Sequence, residues 1–223
     1  MIVIAHSVLA AAELVQLREL LATARFSDGA ASAVGHAKDV KHVAQLDRTG
    51  DGQREAGELI ARAFLRHATV QAAVFPKTIR HPTINRYETG MEYGAHLDMP
   101  LMLGGVPTRA DVSATVFLSD PESYEGGELS IHCDSLATDF KGRAGDAILY
   151  PSDSIHRVKP VLSGTRLVAV TWFQSLFRET AQRKILFDLG QALLAFEAES
   201  TDKTALLQLR AAYQNLQRRW LEA

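Results

Sequence analysis

The stretch Tyr93-Gly94-Ala95-His96-Leu97-Asp98 is the part of the sequence around which the rest of the chain is organised. His96 and Asp98 are two residues apart, so both side chains point to the same face if this segment is a β-strand. His156, followed ten residues later by Arg166, would complete a face of two histidines and one carboxylate. Such a set of ligands suits iron(II) and leaves coordination positions open for small molecules. The sequence therefore predicts a metal site whose ligands are far apart in the chain.

The composition excludes several classes of protein. The 223 residues are 47% hydrophobic and 22% charged, which is ordinary for a globular protein with one large domain. The net charge of -2 and the lack of a long Lys/Arg run argue against a nucleic-acid-binding protein. No stretch approaches about 18 uninterrupted apolar residues, so we expect no membrane association.

The cysteine content and the first residues predict the cellular location. Cys133 is the single cysteine and cannot form an internal disulfide, so we interpret it as a half-buried strand residue. The sequence from Met1 to His6 lacks the basic and long apolar segments of a signal peptide. A reducing, cytoplasmic location is the expectation that fits both features.

Residues 1–77 are expected to form an N-terminal helical, supporting region. Apolar residues recur at helical spacing in residues 7–25, with Ser7 as a possible N-cap, and again in residues 53–68. Between these segments, residues 27–52 are rich in Gly, Ala, Ser and Asp. That part of the chain is compatible with either a short extended piece or a helical turn.

Residues 78–178 have the pattern of a β-rich core. Short segments of β-forming residues alternate with turn signals such as Gly104-Gly105, Gly126-Gly127 and Ser163-Gly164. Many short strands at this spacing indicate a sandwich or a barrel. The predicted strands, the first of which begins just before this core, occupy residues 70–75, 79–87, 93–97, 111–118, 128–133, 147–150, 155–158 and 166–173.

Residues 179–223 are predicted to form a helical hairpin. A polar connection over residues 198–203 contains Ser200, Thr201 and Asp202 as N-cap candidates. One apolar stripe precedes the connection and another follows it, and they consist of Leu186, Leu189, Leu193 and Phe196, then Leu206, Leu209, Tyr213, Leu216 and Trp220. The stripes are expected to pack on each other and on the core, and the alternative is a homodimer contact through these helices.

Further motifs surround the proposed ligands. In chain order they are Asn85-Arg86-Tyr87-Glu88-Thr89-Gly90, Tyr93-x-x-His96-x-Asp98, Glu125-Gly126-Gly127-Glu128-Leu129, Gly145-Asp146-Ala147-Ile148-Leu149-Tyr150-Pro151, Ser154-Ile155-His156-Arg157-Val158 and Gly164-Thr165-Arg166, with Trp172 six residues beyond the arginine. This pattern closely resembles the iron(II)- and 2-oxoglutarate-dependent dioxygenases of the prolyl-4-hydroxylase type. Within them it looks most like the bacterial PKHD-type hydroxylases associated with iron-uptake loci. The resemblance covers roughly residues 78–178.

The resemblance implies a fold and a set of site residues. The fold would be α+β with a mainly β core, a double-stranded β-helix or jelly roll, flanked by the N-terminal helices and the C-terminal hairpin. His96, Asp98 and His156 would be the iron ligands, and Arg166 would bind the far carboxylate of 2-oxoglutarate. A guanidinium suits that task because it forms paired, charge-assisted hydrogen bonds with a carboxylate. Tyr87 has the position of a tyrosine that often lines the cosubstrate pocket.

One position departs from the pattern of some relatives. Where they have a second tyrosine that assists the arginine, this chain has Phe117, which cannot donate a hydrogen bond. Arg166 is then expected to need Thr115, Thr171 or water as a helper.

The resemblance also implies the cofactors and the reaction. Iron(II), 2-oxoglutarate and O2 would be required, with L-ascorbate as an accessory, and oxidative decarboxylation of 2-oxoglutarate to succinate would accompany hydroxylation of the substrate. That substrate is unidentified: a peptidyl proline or lysine is one candidate, and a small molecule or protein linked to iron uptake is another.

Two rival interpretations remain open at this point. The first is a non-catalytic jelly-roll or cupin-like module that binds a metal or another ligand. The second is a cupin-type metal oxygenase that uses no 2-oxoglutarate. Arg166 argues against both, unless it is paired with a neighbouring carboxylate. A halogenase is disfavoured because Asp98 fills the position that a halide would need.

Overall fold

The computed structural model describes residues 1–47, 50–103, 106–133 and 136–222. The predicted turn at Gly104-Gly105 lies outside the described residues, and so does the side chain of Cys133, for which half-burial was predicted. The described β-strands, named in chain order, are β1 Val3–Ala5, β2 Phe26–Asp28, β3 Lys41–His42, β4 Ala44–Leu46, β5 Pro76–Ile79, β6 Thr83–Tyr87, β7 Glu92–His96, β8 Leu101–Met102, β9 Thr108–Arg109, β10 Val112–Phe117, β11 Tyr124–Gly126, β12 Leu129–Cys133, β13 Leu136–Phe140, β14 Ala147–Pro151, β15 His156–Val158, β16 Val161–Gly164 and β17 Arg166–Ser175.

Helices flank these strands on both sides in the sequence. The described α-helices are α1 Ala11–Ala22, α2 His36–Asp39, α3 Asp51–Arg66, α4 Ala68–Val74, α5 Thr180–Glu199 and α6 Lys203–Trp220. Two short 3-10 helices span Gly29–Ser32 and Pro121–Ser123 within the same described ranges. None of the described helices combines the length and apolar character that crossing a membrane requires.

Two antiparallel sheets form the body of the protein. The major sheet has the strand order β1-β14-β10-β17-β6-β4-β2, and β5 also pairs with β17. The minor sheet has the order β13-β12-β15-β7-β3. The ribbons β11–β16 and β8–β9 complete the described strand pairs. This arrangement is the predicted jelly-roll type of core with helices around it.

The two sheets face each other across one apolar cluster. Its buried members come from both sheets, and they are Val43, Tyr87, Phe117, Leu129, Ile131, Ile148, Tyr150, Val158, Val161 and Val168. Helices α1, α3 and α4 cover the other face of the major sheet, where Leu17, Ile60, Phe64 and Val70 pack against residues such as Phe173. The major sheet is therefore buried on both faces. Helices cover its outer face, and its inner face lines the interior between the two sheets.

Several predicted element boundaries were wrong. Helix α1 begins after Ala10, because Ser7 has a left-handed backbone with φ of 55° and cannot serve as its N-cap. Residues 70–75 are not a strand: Val70, Ala73 and Val74 are buried at helical spacing within α4. The strand predicted over residues 79–87 is divided into β5 and β6, and Pro82, which has no N–H to donate, lies between them.

The first 77 residues supply strands as well as helices. Strand β1 pairs with β14 and β4 pairs with β6, both in the major sheet, while β3 pairs with β7 in the minor sheet. The segment over residues 27–52 therefore contains both short strands and short helical turns in its described part. Its strands lie at the edges of the two sheets, with β4 and β2 beyond β6 in the major sheet and β3 beyond β7 in the minor sheet.

The C-terminal hairpin forms as predicted. The Asp202 carboxylate accepts hydrogen bonds from the backbone N–H groups of Thr204 and Ala205, both at 3.0 Å, and so caps α6. Leu186 and Leu193 of α5 and Leu206 of α6 are buried, so both stripes contribute to packing within this chain.

Candidate functional site

The two candidate histidines lie side by side at one end of the minor sheet. His96 on β7 and His156 on β15 are register partners, and their ring centroids are 4.3 Å apart. Both are buried, with 8% and 5% of their surface exposed. Strand pairing brings them together although sixty residues separate them in the chain.

Asp98 joins these histidines from outside the strand. Strand β7 ends at His96, so Asp98 lies in the segment that follows and not on the same strand. One potential ligand atom from each of His96, Asp98 and His156 nevertheless lies within 4.8 Å of the others. His156 Nε2 lies 3.8 Å from an Asp98 carboxylate oxygen. The three predicted residues therefore form a group that could hold a metal ion.

The backbone determines which nitrogen of each histidine is free. His96 Nδ1 lies 2.8 Å from the Gly94 carbonyl, and His156 Nδ1 lies 3.0 Å from the Ser154 carbonyl. A carbonyl oxygen only accepts, so each Nδ1 carries the proton and each Nε2 presents its lone pair. Burial, with the neighbouring His156 as a second cause, lowers the pKa of His96 to about 4. His96 is therefore neutral at neutral pH, the form that binds a metal.

Asp98 is tied to the opposite sheet by residues that the sequence analysis missed. The Ser113 hydroxyl, on β10 of the major sheet, donates to an Asp98 carboxylate oxygen at 2.5 Å. The Ser113 and Ser152 hydroxyl oxygens are 2.8 Å apart and hydrogen-bonded, and both residues are buried. This network fixes the direction of a carboxylate that its own loop would leave mobile. No motif in the sequence connects a serine on β10 with Asp98.

Two tyrosines enclose the histidines. The Tyr93 ring stacks on His96 with centroids 3.6 Å apart and planes 13° from parallel. The Tyr150 ring packs edge-on against His156 at 5.0 Å. Burial raises the pKa of both phenols, so they are neutral at ordinary pH. They restrict the orientation of both imidazole rings and keep water from their faces.

Arg166 lies in the same interior, at the start of β17. It is fully buried, with 0% exposure, and none of its three guanidinium nitrogens has a hydrogen-bond partner among the described residues. Its guanidinium carbon is 5.0 Å from the Tyr87 ring centroid and 5.9 Å from that of Phe117. Tyr87 is the register partner of Arg166 in β6, so the structure brings these two predicted residues together.

The two threonines expected to assist Arg166 have other partners. The Thr171 hydroxyl donates to the Arg80 carbonyl at 2.5 Å, five residues further along β17. Thr115 is a neighbour of Tyr150 and lowers the pKa of its phenol, although burial outweighs that effect. A buried phenol beside Arg166 that the sequence analysis did not single out is Tyr124 on β11.

The residues present fit iron(II) and a dicarboxylate. Two imidazoles and one carboxylate form a ligand set that binds iron(II) and leaves coordination positions open. A buried guanidinium without a partner is costly, and a carboxylate that forms paired hydrogen bonds would offset that cost. The donor set and the unpaired nitrogens of Arg166 therefore suit both groups that the sequence analysis expected.

Comparisons with known proteins agree with this chemistry. Residues 82–174 match the model of the 2OG-Fe(II) oxygenase superfamily, and residues 181–222 match that of the PKHD-type hydroxylase C-terminal domain. A PKHD-type hydroxylase of Hyphomonas neptunium is 44% identical over 95% of each chain, and one of Acaryochloris marina is 42% identical over 100% of each chain.

A solved structure supports the fold alone. A prolyl hydroxylase from Trichoplax adhaerens, in complex with a peptide fragment of a hypoxia-inducible factor, superposes with a TM-score of 0.58. The match covers 83% of this chain and 86% of that one, at 17% sequence identity. The jelly-roll architecture is therefore shared with this enzyme, whereas the substrate cannot be transferred at that identity.

Proposed function

Since this chain belongs to the PKHD-type hydroxylases, which are iron(II)- and 2-oxoglutarate-dependent dioxygenases, we propose that His96, Asp98 and His156 bind the iron. Arg166 binds the far carboxylate of 2-oxoglutarate, and Tyr87 forms one wall of the cosubstrate pocket. Bound iron(II) and 2-oxoglutarate supply the chemistry that uses O2 to hydroxylate a substrate while 2-oxoglutarate becomes succinate and carbon dioxide.

The protein's contribution is to hold and orient the three proposed metal ligands. The carbonyls of Gly94 and Ser154 keep each Nδ1 protonated, so His96 and His156 offer Nε2 to the metal. The hydroxyl of Ser113 holds Asp98 from the opposite sheet. Tyr93 and Tyr150 exclude water from the imidazole faces, which favours the substrate oxidation over side reactions with solvent.

The observation that carries the cosubstrate assignment is the state of Arg166. A fully buried cation without a partner among the described residues is uncommon, because its desolvation is uncompensated. A jelly-roll module that only binds metal has no use for it. A dicarboxylate that chelates the metal at one end and meets Arg166 at the other accounts for both the metal ligands and the arginine.

The substrate is proposed to contact an apolar rim beside the metal ligands. Leu97 and Met99 flank Asp98, Ile155 precedes His156, and Leu101 begins the β8–β9 ribbon that follows Asp98. All four side chains are between 45% and 52% exposed. An apolar part of a peptide or of a small molecule would cover this surface. The indole N–H of Trp172 is buried without a partner among the described residues, and it could bind a carbonyl of such a substrate.

Other expectations stay predictions. L-ascorbate as an accessory, a role in iron uptake and a cytoplasmic location follow from the resemblance and from the cysteine content alone. We also propose that the C-terminal helices form a homodimer contact, because Leu194 and Leu207 on them are 62% and 67% exposed. Size-exclusion chromatography with light scattering tests that point: a monomer at all protein concentrations would exclude it.

Succinate formation tests the proposed function. The wild-type protein with iron(II), 2-oxoglutarate and O2 should release succinate slowly even without its substrate. Each of three substitutions should abolish this reaction: His96→Ala, Asp98→Ala and His156→Ala. Replacing a residue that only hydrogen-bonds a metal ligand lowers metal affinity or activity ~10–100-fold, and loss of a ligand itself costs more. Circular dichroism serves as the folding control. Near-native activity of one of these variants at limiting iron would remove that residue from the ligand set.

A further inference from the structure

Tyr124 has a buried hydroxyl group that forms no hydrogen bond of normal geometry in the described part of the chain. The residue is 5% exposed, and its phenol oxygen has no hydrogen-bond partner among the described residues. A phenylalanine at this position would fill the same space without burying an unpaired polar atom, which is costly. The hydroxyl is therefore available to a ligand that enters this interior.

The immediate surroundings of Tyr124 bring it to Arg166. A Cβ atom added at Gly127 would lie 3.0 Å from Arg166 Cδ and 3.2 Å from Tyr124 Cε2, so both side chains pack over the same glycine. Gly127 also has φ of +65°, a conformation that other residues rarely adopt. Burial raises the pKa of the Tyr124 phenol, and the nearby Arg166 cation partly opposes that rise. The unpaired hydroxyl and the unpaired guanidinium are thus close neighbours.

The backbone around Tyr124 is built to hold it there. Strand β11 pairs with β16, with Tyr124 opposite Gly164, and a Cβ at Gly164 would come within 2.9 Å of Tyr124 Cα. On the other side, the Lys141 ammonium donates to the Tyr124 carbonyl at 2.7 Å and lies 4.2 Å from the ring centroid. A cation over the ring makes the phenol a better donor and favours an anionic acceptor.

We propose that the Tyr124 hydroxyl donates a hydrogen bond to the far carboxylate of 2-oxoglutarate, beside Arg166. This inference rests on the proposed function of Arg166. Tyr124 supplies the donor that Phe117 lacks, and it does so from the minor ribbon β11–β16 rather than from β10. Tyr124 is thus a binding residue that selects a 2-oxo acid with a second carboxylate.

A pair of cosubstrates isolates this contact. 2-Oxopentanoate has the same five-carbon chain as 2-oxoglutarate but lacks the far carboxylate. Binding of each compound to the iron(II) protein is measured by anaerobic titration, for the wild type and for Tyr124→Phe. We expect the affinity for 2-oxoglutarate to fall roughly 10-fold and the affinity for 2-oxopentanoate to stay unchanged, since only the former has an acceptor for the phenol.

Two further variants make the test specific. Tyr213→Phe, on α6, removes the hydroxyl of a half-buried tyrosine outside the site and should change neither affinity. Phe117→Tyr introduced into Tyr124→Phe should restore part of the 2-oxoglutarate affinity, because the Phe117 ring also faces Arg166, at 5.9 Å.

The possible outcomes distinguish the proposed role of Tyr124 from that of Arg166. An equal loss for both compounds would overturn the proposal, since Tyr124 would then act only on the general shape of the pocket. Unchanged 2-oxoglutarate binding in Tyr124→Phe, with strong binding by the wild type, would overturn it as well. Failure of the wild type to bind 2-oxoglutarate at all would instead contradict the proposed function of Arg166.

Discussion

Arg166→Met and Arg183→Met form a matched pair of substitutions, because each removes a guanidinium that is almost completely buried. Arg166 is 0% exposed and Arg183 is 2% exposed. The two differ in their partners. Arg183 donates to the carbonyls of Phe177, Arg178 and Asp111 at 2.8, 2.5 and 3.2 Å, and to the Thr180 hydroxyl at 2.9 Å. Arg166 has no hydrogen-bond partner among the described residues.

The stability of the protein without iron or 2-oxoglutarate should therefore respond in opposite ways. Arg183→Met leaves buried carbonyl oxygens unpaired and should lower the free energy of unfolding by ~3 kcal/mol. Arg166→Met removes an uncompensated buried charge, so it should leave the free energy of unfolding unchanged or raise it by ~1–4 kcal/mol. For a protein of this size, each kcal/mol corresponds to a melting-temperature change of about 2–4 °C. Scanning calorimetry and urea unfolding would both resolve such a difference.

Adding the cosubstrate should stabilise the two variants to different extents. With Mn²⁺ in place of iron and 2-oxoglutarate at about 100 times its Kd, the wild type should gain ~2.7 kcal/mol. Arg166→Met should gain much less, because the paired hydrogen bonds to the far carboxylate are lost, whereas a folded Arg183→Met protein should gain as much as the wild type. If Arg166→Met without ligand lost as much stability as Arg183→Met, Arg166 would be a structural residue and the reasoning would be refuted.

Three smaller substitutions test other parts of the structure. Ser113→Ala should weaken Mn²⁺ binding ~10–100-fold by releasing Asp98, and an unchanged Kd in calorimetric titration would show that this hydrogen bond does not orient the ligand. Asp202→Ala should lower the free energy of unfolding in urea by ~1 kcal/mol through loss of the α6 cap, while Asp202→Asn should retain most of it. A hydrogen bond from Arg66 lowers the pKa of Glu13, so the stability that Glu13 contributes is complete above its ordinary pKa of about 4.3 and is lost as the pH falls through the lowered value. Glu13→Gln should therefore cost at most ~1 kcal/mol near pH 7 and nothing in strong acid, and a cost that did not change with pH would contradict the ion pair.

The local sequence was sufficient to predict the strands and helices that follow short-range patterns of residue types. Segments of β-forming residues between turn signals predicted β10, β12 and β17, and the helical spacing of apolar residues predicted the C-terminal hairpin. The spacing of His96 and Asp98, with His156 and Arg166 downstream, was sufficient to indicate the chemistry. Those residue types in that order have few other uses in proteins. The motif indicated the chemistry although Asp98 lies beyond the end of β7.

Tertiary structure alone decided the features that join segments distant in the chain. Val70 and Val74 have the residue types of a strand but form a helix, because α4 packs on the major sheet and that burial outweighs local propensity. The Ser113–Asp98 hydrogen bond and the proximity of Tyr124 to Arg166 arise from the packing of the two sheets and from the close approach at Gly127. The sequence by itself indicated which groups we propose to do the chemistry. Only the fold decided which hydroxyls orient them, since strand pairing and sheet packing set distances that no spacing in the chain encodes.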